Sequence, residues 1–386
     1  MPDSTDASSR RFSSNRTSPD HSLADRSSTD SSSSEDSSSD RIRPSTGPEN
    51  TLYVDTVGAV VRREHSHFVV DHHTEDSTER ACSVPLPEVD TIALVGKVHC
   101  TTPAIRFCLQ EEVQVVLLSY HGKVKGRLHG AHPASVDVRL GQYEAQSEAA
   151  RRRSLARRFV GAKIHNMRRR LRRAARKRPS ETLDEATQAL HKYAQRLSSA
   201  DTLDGIVGTE GVATKAYFSV WPDLITRTEP ELQFTTRTRR PPESAVDALL
   251  GFTYSLLQND VEAACIIAGL DPHLGLLHRP RPHAPTAVLD LMEAFRPAVA
   301  DSVVLTLLNR GRIDPFDFEP RDGGIYLTKD GRTKVYKAYG QRRADTIAPP
   351  GRDQPLPYYR VMELQARRLA RALTEEEASY SPFRQP

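Results

Sequence analysis

RLGQYEAQSEAARRRSLARRFVGAKIHNMRRRLRRAARKR, residues Arg139 to Arg178, is where the chain changes its hydrophobic period. Leu140, Tyr143, Leu155, Phe159, Ile164, Met167 and Leu171 fall at helical spacing and predict an apolar stripe on a long helix that Pro179 ends. Before this stretch the apolar residues alternate or run in short blocks. After it they recur at helical spacing. The division predicts an α+β chain, β-rich first and helical afterwards.

The amino-terminal side reads as strands. TLYVDTVGAVVRRE alternates around Gly58, and SHFVVDHH follows after a short turn, which predicts a hairpin. VDTIALVG and VQVVLLSY are short apolar runs, each leading to a glycine. TTPAIRFCLQEE between them predicts a short helix capped by Thr102, with Pro103 at its first position. His65, His67, His72 and His73 crowd this region, but no carboxylate or cysteine stands at ligand spacing, so they read as loop and solvent-face residues. Residues 1–49, dominated by Ser, Asp and Arg, hold too little apolar surface to offset ordering and read as a disordered tail.

On the carboxyl-terminal side, Ser180 to Leu197, AVDALLGFTYSLLQNDVEAACIIAGL and YYRVMELQARRLARAL predict further helices. GGIYLTKDGR predicts a hairpin turning at Asp330-Gly331. At 386 residues the chain suggests two or three domains. No run of about 18 apolar residues exists, so no membrane span is expected. No hydrophobic leader precedes the first domain, and the four cysteines form no CxxC pair, so a reduced, cytoplasmic protein is expected.

Charge is distributed unevenly. Arg151 to Arg178 carries fourteen Lys/Arg and no acid; removing these from the net +4 leaves −10 on the rest. A one-signed stretch of this kind fits a surface that meets a polyanion, with Arg168, Arg169, Arg172 and Arg173 as candidate phosphate contacts. Arg237, Arg239 and Arg240 could extend it. An ordinary solvated face is the competing reading.

GLLHRPRPHAPTAVLDLMEAFR, Gly275 to Arg296, places His278 ahead of a helical stretch with Asp290, Glu293 and Arg296 three residues apart. That spacing lets both carboxylates and the guanidinium share one face. Imidazole and carboxylate are suitable ligands for a divalent metal, and Arg281 and Arg296 could hold a phosphate. The same pattern also describes a solvated face with weak ion pairs. Glu210, bracketed by Gly208 and Gly211 in GTEG, is a second candidate acid at the start of a helical pattern, where a first-turn carboxylate would also merely stabilise the helix.

The order GxEG…YF, R…PPE…ALL…Y, GLLH and LDLMEAFRP resembles the CRISPR-associated endonuclease and integrase of spacer acquisition, first of the numbered CRISPR-associated proteins. The resemblance runs from about Thr51 to Phe383. It takes in VDTIALVG, LLSYHGKVKGRL, RLGQYEAQ and the KIHN step. It implies an N-terminal β-rich, sandwich-like dimerisation domain over residues 50–133, followed by a larger all-α catalytic domain over 138–386. It implies that Glu210, His278 and Glu293 bind Mg²⁺ or Mn²⁺, with Asp290 as a supporting acid. It further implies attack of a 3′-hydroxyl of short DNA (a spacer precursor) on a phosphodiester of the repeat array, a homodimer, and assembly with the small second CRISPR-associated protein. A nitrogen-and-oxygen donor set suits Mg²⁺ and Mn²⁺ and excludes a zinc–thiolate centre. Asp247 stands where the family usually has asparagine. A non-catalytic basic helical nucleic-acid binder and a branched-DNA repair nuclease are the alternatives.

Overall fold

The computed structural model describes residues 51–73, 78–120, 122–128, 136–237, 241–349, 351–375 and 379–386. The tail read over 1–49 and the pair Arg239 and Arg240 lie outside the described residues.

The amino-terminal part contains β1 (Thr51–Val54), β2 (Ala59–Glu64), β3 (His67–His73), β4 (Thr78–Pro85), β5 (Thr91–Val95), β6 (His99–Cys100), α1 (Thr102–Gln110), β7 (Gln114–Leu118) and β8 (Val124–Leu128). They form two four-stranded sheets, ordered β1-β5-β7-β8 and β4-β3-β2-β6. Val54, Ile92 and Val115 of the first share a buried cluster with Val61, Phe68 and Val70 of the second, so the two sheets pack face to face. The predicted hairpin is β2–β3, antiparallel, turning through His65 at φ 55°. The cap of α1 is Thr101, one residue earlier than expected, and its hydroxyl accepts from Ala104 N.

The helical part follows: α2 (Val136–Ser147), α3 (Ala149–Lys177), α4 (Glu181–Ser198), α5 (Leu203–Ser219), α6 (Trp221–Leu224), α7 (Ala245–Ile267), α8 (Thr286–Met292) and α9 (Asp301–Asn309). Two small ribbons interrupt the last third: β9 (Phe318–Arg321) with β10 (Gly324–Leu327), and β11 (Thr346–Ile347) with β12 (Leu356–Pro357). The remaining helices are α10 (Lys329–Ala344) and α11 (Tyr358–Thr374). One large core joins the helices and buries Trp221, Phe159, Leu250, Phe295 and Tyr358.

The two parts meet at α7 and α11. Ile92 and Leu94 of β5 face the sheet-to-sheet core, while Ala93 and Val95 pack on Ala263 and Ile267 of α7. Burial on both faces explains why VDTIALVG is a continuous apolar run rather than an alternating one. On α11, the fully buried Glu363 accepts from Thr51 Oγ1 at 2.5 Å and Arg360 at 2.9 Å, and Arg360 also donates to Thr51 O at 2.6 Å.

Three sequence expectations are corrected. The long helix is broken at Glu148, which has extended backbone (ψ 104°), into α2 and α3. Leu140 and Tyr143 are each 54% exposed. The inward face of α2 carries Gly141 and Gln142 instead: a β-carbon at Gly141 would lie 2.3 Å from Leu373 O, and Gln142 clamps Asp271 and Leu274 through their backbone. The hairpin turns at Asp322-Gly323, whose positive φ angles (49° and 75°) suit a tight two-residue turn. Asp330-Gly331 instead opens α10, because Thr328 accepts from Gly331 N at 3.1 Å as an N-cap.

Candidate active site

Glu210 sits in the middle of α5, not at a helix start; Thr202 caps that helix two turns earlier. Its Oε1 accepts from Thr214 Oγ1 at 2.7 Å, one turn along, which fixes the carboxylate on one side of the helix. His278 lies in the loop between α7 and α8. Only glycine fits at Gly275 in that loop, since a β-carbon would lie 2.8 Å from Thr286 Cβ and 2.9 Å from His278 O.

Asp290, on α8, gathers the loop. Its Oδ2 accepts from Leu276 N (2.5 Å) and Leu277 N (2.8 Å), and its Oδ1 from His278 N (3.0 Å). The same Oδ1 lies 2.6 Å from His278 Nδ1. Asp290 thus faces back toward the loop, and Nδ1 is committed to it. The other ring nitrogen, Nε2, remains for a ligand. A carboxylate behind an imidazole in this way fixes its tautomer and orientation. Burial pulls the His278 pKa down, but the hydrogen bond and charge of Asp290, with the charge of Glu293, outweigh it and hold the ring above its ordinary value.

Glu293 is the C-cap of α8, and a π turn (Arg296–Ala300) follows it, so the expected continuous helix through Arg296 does not form. Glu293 reaches Lys163 of α3, whereas Asp290 reaches the loop. Glu293 is 4% exposed. Burial would raise its pKa, but Arg296, Lys163 and His278 together bring it down to about 2. Arg296 Nε lies 3.2 Å from Glu293 Oε1, and its guanidinium stacks on Tyr254 at 4.6 Å. Below it, Asp301 accepts from Tyr254 and Tyr217 hydroxyls at 2.7 and 2.8 Å.

Glu210, His278, Glu293, Arg281 and Arg296 line one cleft of about 920 Å³, together with Lys163 and Tyr254. Lys163 was not legible as a site residue. Its Nζ contacts Glu210 Oε1 and lies 2.6 Å from Glu293 Oε2, so the two carboxylates converge on an ammonium. Among the described residues, no three His, Cys, Asp or Glu side chains are grouped closely enough to bind one ion as they stand. Glu293 Oε2 is nevertheless buried without an aligned hydrogen-bond donor: Lys163 is within ion-pair distance but off the hydrogen-bonding direction. An ionised, buried, under-bonded carboxylate oxygen in the same cleft as an imidazole whose Nε2 bonds no described residue suits a hard divalent cation.

The basic stretch divides. Arg151, Arg152, Arg157, Arg158 and Arg170 donate to backbone carbonyls of Ala372, Leu276, Ala200, Tyr380 and Pro297. Arg169, Arg172, Arg173, Arg176, Lys177 and Arg178 are exposed, whereas Arg168 is half-buried. None of Arg168, Arg169, Arg172 and Arg173 lines the cleft. Arg237 does not extend the basic surface: it pairs with the buried Asp247 at 2.6 Å, the departure from asparagine being matched by a cation.

The family described as CRISPR associated protein Cas1 matches residues 52–341. The chain belongs to the Cas1 family. It is 35% identical to a CRISPR-associated endonuclease Cas1 of Moorella thermoacetica, over 86% of this chain and 98% of the relative. This Cas1-family chain is therefore an endonuclease of the CRISPR-associated kind, and the reading as a non-catalytic binder is set aside. Two solved structures share its fold. One is a partial Cas6-RT-Cas1–Cas2 complex, at TM-score 0.72 and 22% identity. The other is a casposase bound to integration product, at TM-score 0.70 and 22% identity. Each covers 86% of this chain and 98% of the other. The α+β reading, strands first and helices after, agrees with that fold. No described helix is long and apolar enough to cross a membrane.

Proposed function

We propose that the cleft integrates short DNA into a CRISPR repeat array, by attack of a 3′-hydroxyl on a phosphodiester, with Glu210, His278 and Glu293 as the ligands of a Mg²⁺ or Mn²⁺ ion. The observation that carries the reading is the meeting of two carboxylates from separate helices beside the His278 ring, in a cleft that also holds Arg281 and Arg296. When bound, the ion would neutralise non-bridging phosphate oxygens and stabilise the leaving one. Asp290 keeps a proton on Nδ1, which leaves Nε2 as the ring nitrogen that would hold the ion once the ring has given up its second proton. Arg296, fixed against Tyr254 and Glu293, is placed to pair with a phosphate entering the cleft.

DNA is the proposed partner, with the exposed arginines from Arg169 to Arg178 as its backbone contacts. The Cas1–Cas2 complex among the fold neighbours supports a second CRISPR-associated protein as a further partner. The division into residues 50–133 and 138–386 is proposed as β-rich and catalytic domains. Homodimerisation is proposed through the first: β8 is a sheet edge, and Leu117, Tyr120 and Leu128 are apolar and exposed beside it.

Glu210→Ala, His278→Ala and Glu293→Ala test the site. Each should lower joining of a short duplex to a repeat-bearing plasmid at least a hundredfold, with DNA affinity largely kept. Normal joining by all three variants would overturn the assignment. Cleavage of branched DNA without any half-site product would favour a repair nuclease.

A further inference from the structure

Lys163 carries an inference beyond the ligand set. It lies in the middle of α3 with its side chain 6% exposed, between Phe159 and Met167 on the buried face. A lysine at such a position is rare unless paired. Its one nitrogen meets two carboxylates delivered by two other elements, Glu210 of α5 and Glu293 at the end of α8. Those are two of the three ligands proposed above, on which this inference rests. An ammonium and a divalent ion cannot occupy the same point between two oxygens.

We propose that Lys163 is a positioning residue, a tethered internal cation that holds Glu210 and Glu293 together in the metal-free protein and is displaced into the cleft when the divalent ion binds. The backbone beside it is held while the side chain moves: three residues on, Asn166 donates to Ala294 O at 2.7 Å and Phe383 O at 3.2 Å. The four-carbon stem of lysine has the freedom to withdraw, and the cleft it lines is about 920 Å³. The lysine lowers the apparent metal affinity, because the ion must displace a bound cation, and prevents the buried Glu293 and the half-buried Glu210 from repelling each other in its absence.

The test follows the wild-type full chain, treated with EDTA, by pulse acetylation of lysines and mass spectrometry with and without Mn²⁺. Acetylation at Lys163 should be slow without metal and at least tenfold faster with saturating Mn²⁺, while the exposed Lys215 is unchanged. Lys163→Met should lower the metal-free melting midpoint by several degrees and bind Mn²⁺ about tenfold more tightly, read by electron paramagnetic resonance of free Mn²⁺. Labelling of Lys163 that stays slow with Mn²⁺ bound, or a folded Lys163→Met that gains no affinity, overturns the proposal. His278→Ala separates the underlying assumption: if wild type and His278→Ala bind Mn²⁺ equally, the ligand set itself is wrong. If Mn²⁺ binding depends on His278 yet Lys163 stays protected, only the role of the lysine fails.

Discussion

Asp290→Asn is the most informative substitution for separating support from ligation. The Asp290 carboxylate receives four hydrogen bonds, two at each oxygen, from Leu276 N, Leu277 N, His278 N and His278 Nδ1. Asparagine has nearly the same shape, but its NH₂ must face two of those donors in either orientation. Two charge-assisted bonds at about 1.5–3 kcal/mol each are lost, so the expected cost is about 3–5 kcal/mol after some loop relaxation. Urea unfolding at pH 7 in EDTA measures it from the shift in midpoint. A cost below about 1 kcal/mol would refute the view that Asp290 organises the loop.

The same variant has a pH signature. A folded-state pKa of His278 above its unfolded value of about 6.5 means that the protonated ring stabilises the fold at low pH. That contribution is lost as pH rises through the folded-state value. Metal binding at Nε2 requires the neutral ring, so Mn²⁺ affinity should climb over the same interval. Because Asp290 contributes more than Glu293 to raising the pKa, Asp290→Asn should move this climb to lower pH, with affinity at high pH about 10–100-fold weaker through lost orientation. An unmoved climb would sever His278 from Asp290.

Two further outcomes follow from other parts of the fold. Reversing the exposed Arg169, Arg172 and Arg173 to glutamate should flatten the dependence of log affinity for duplex DNA on log salt, by about 0.9 for each phosphate contact removed; an unchanged slope in a filter-binding titration would take α3 out of the DNA surface. Phe383→Ala should cost about 3–5 kcal/mol in denaturant unfolding, since Phe383 is fully buried and stacks on Phe295 with centroids 5.0 Å apart. A loss under about 1 kcal/mol would mean that the carboxyl-terminal segment contributes little to the core.

The order of strands and helices was legible because strand runs and helical periodicity are local signals. VDTIALVG and the apolar positions of α3 from Leu155 onward report burial directly. What escaped reading depended on contacts distant in sequence. Leu140 and Tyr143 look like core residues by spacing, but Gln142 and Gly141 take the inward face through loops and helices more than a hundred residues away. Asp330-Gly331 has turn chemistry that serves equally well in a helix start, and Thr328 decides between them. Glu210, His278 and Glu293 could be picked out by motif, but not the manner of their meeting. Lys163 gave one overlooked signal, a charge on the apolar stripe one turn from Phe159 and one from Met167.

The stacking of Phe383 behind Phe295 also has a bearing on biosynthesis. Phe295 lies two residues past Glu293, and Asn166, three past Lys163, holds the backbone of Phe383. A nascent chain therefore reaches Glu293 well before the segment that packs behind Phe295 is in place. Until residue 383 has emerged, Phe295 lacks its stacking partner and Asn166 lacks one of its two carbonyl acceptors, so a ribosome-bound intermediate would carry the proposed ligands on a less rigid frame.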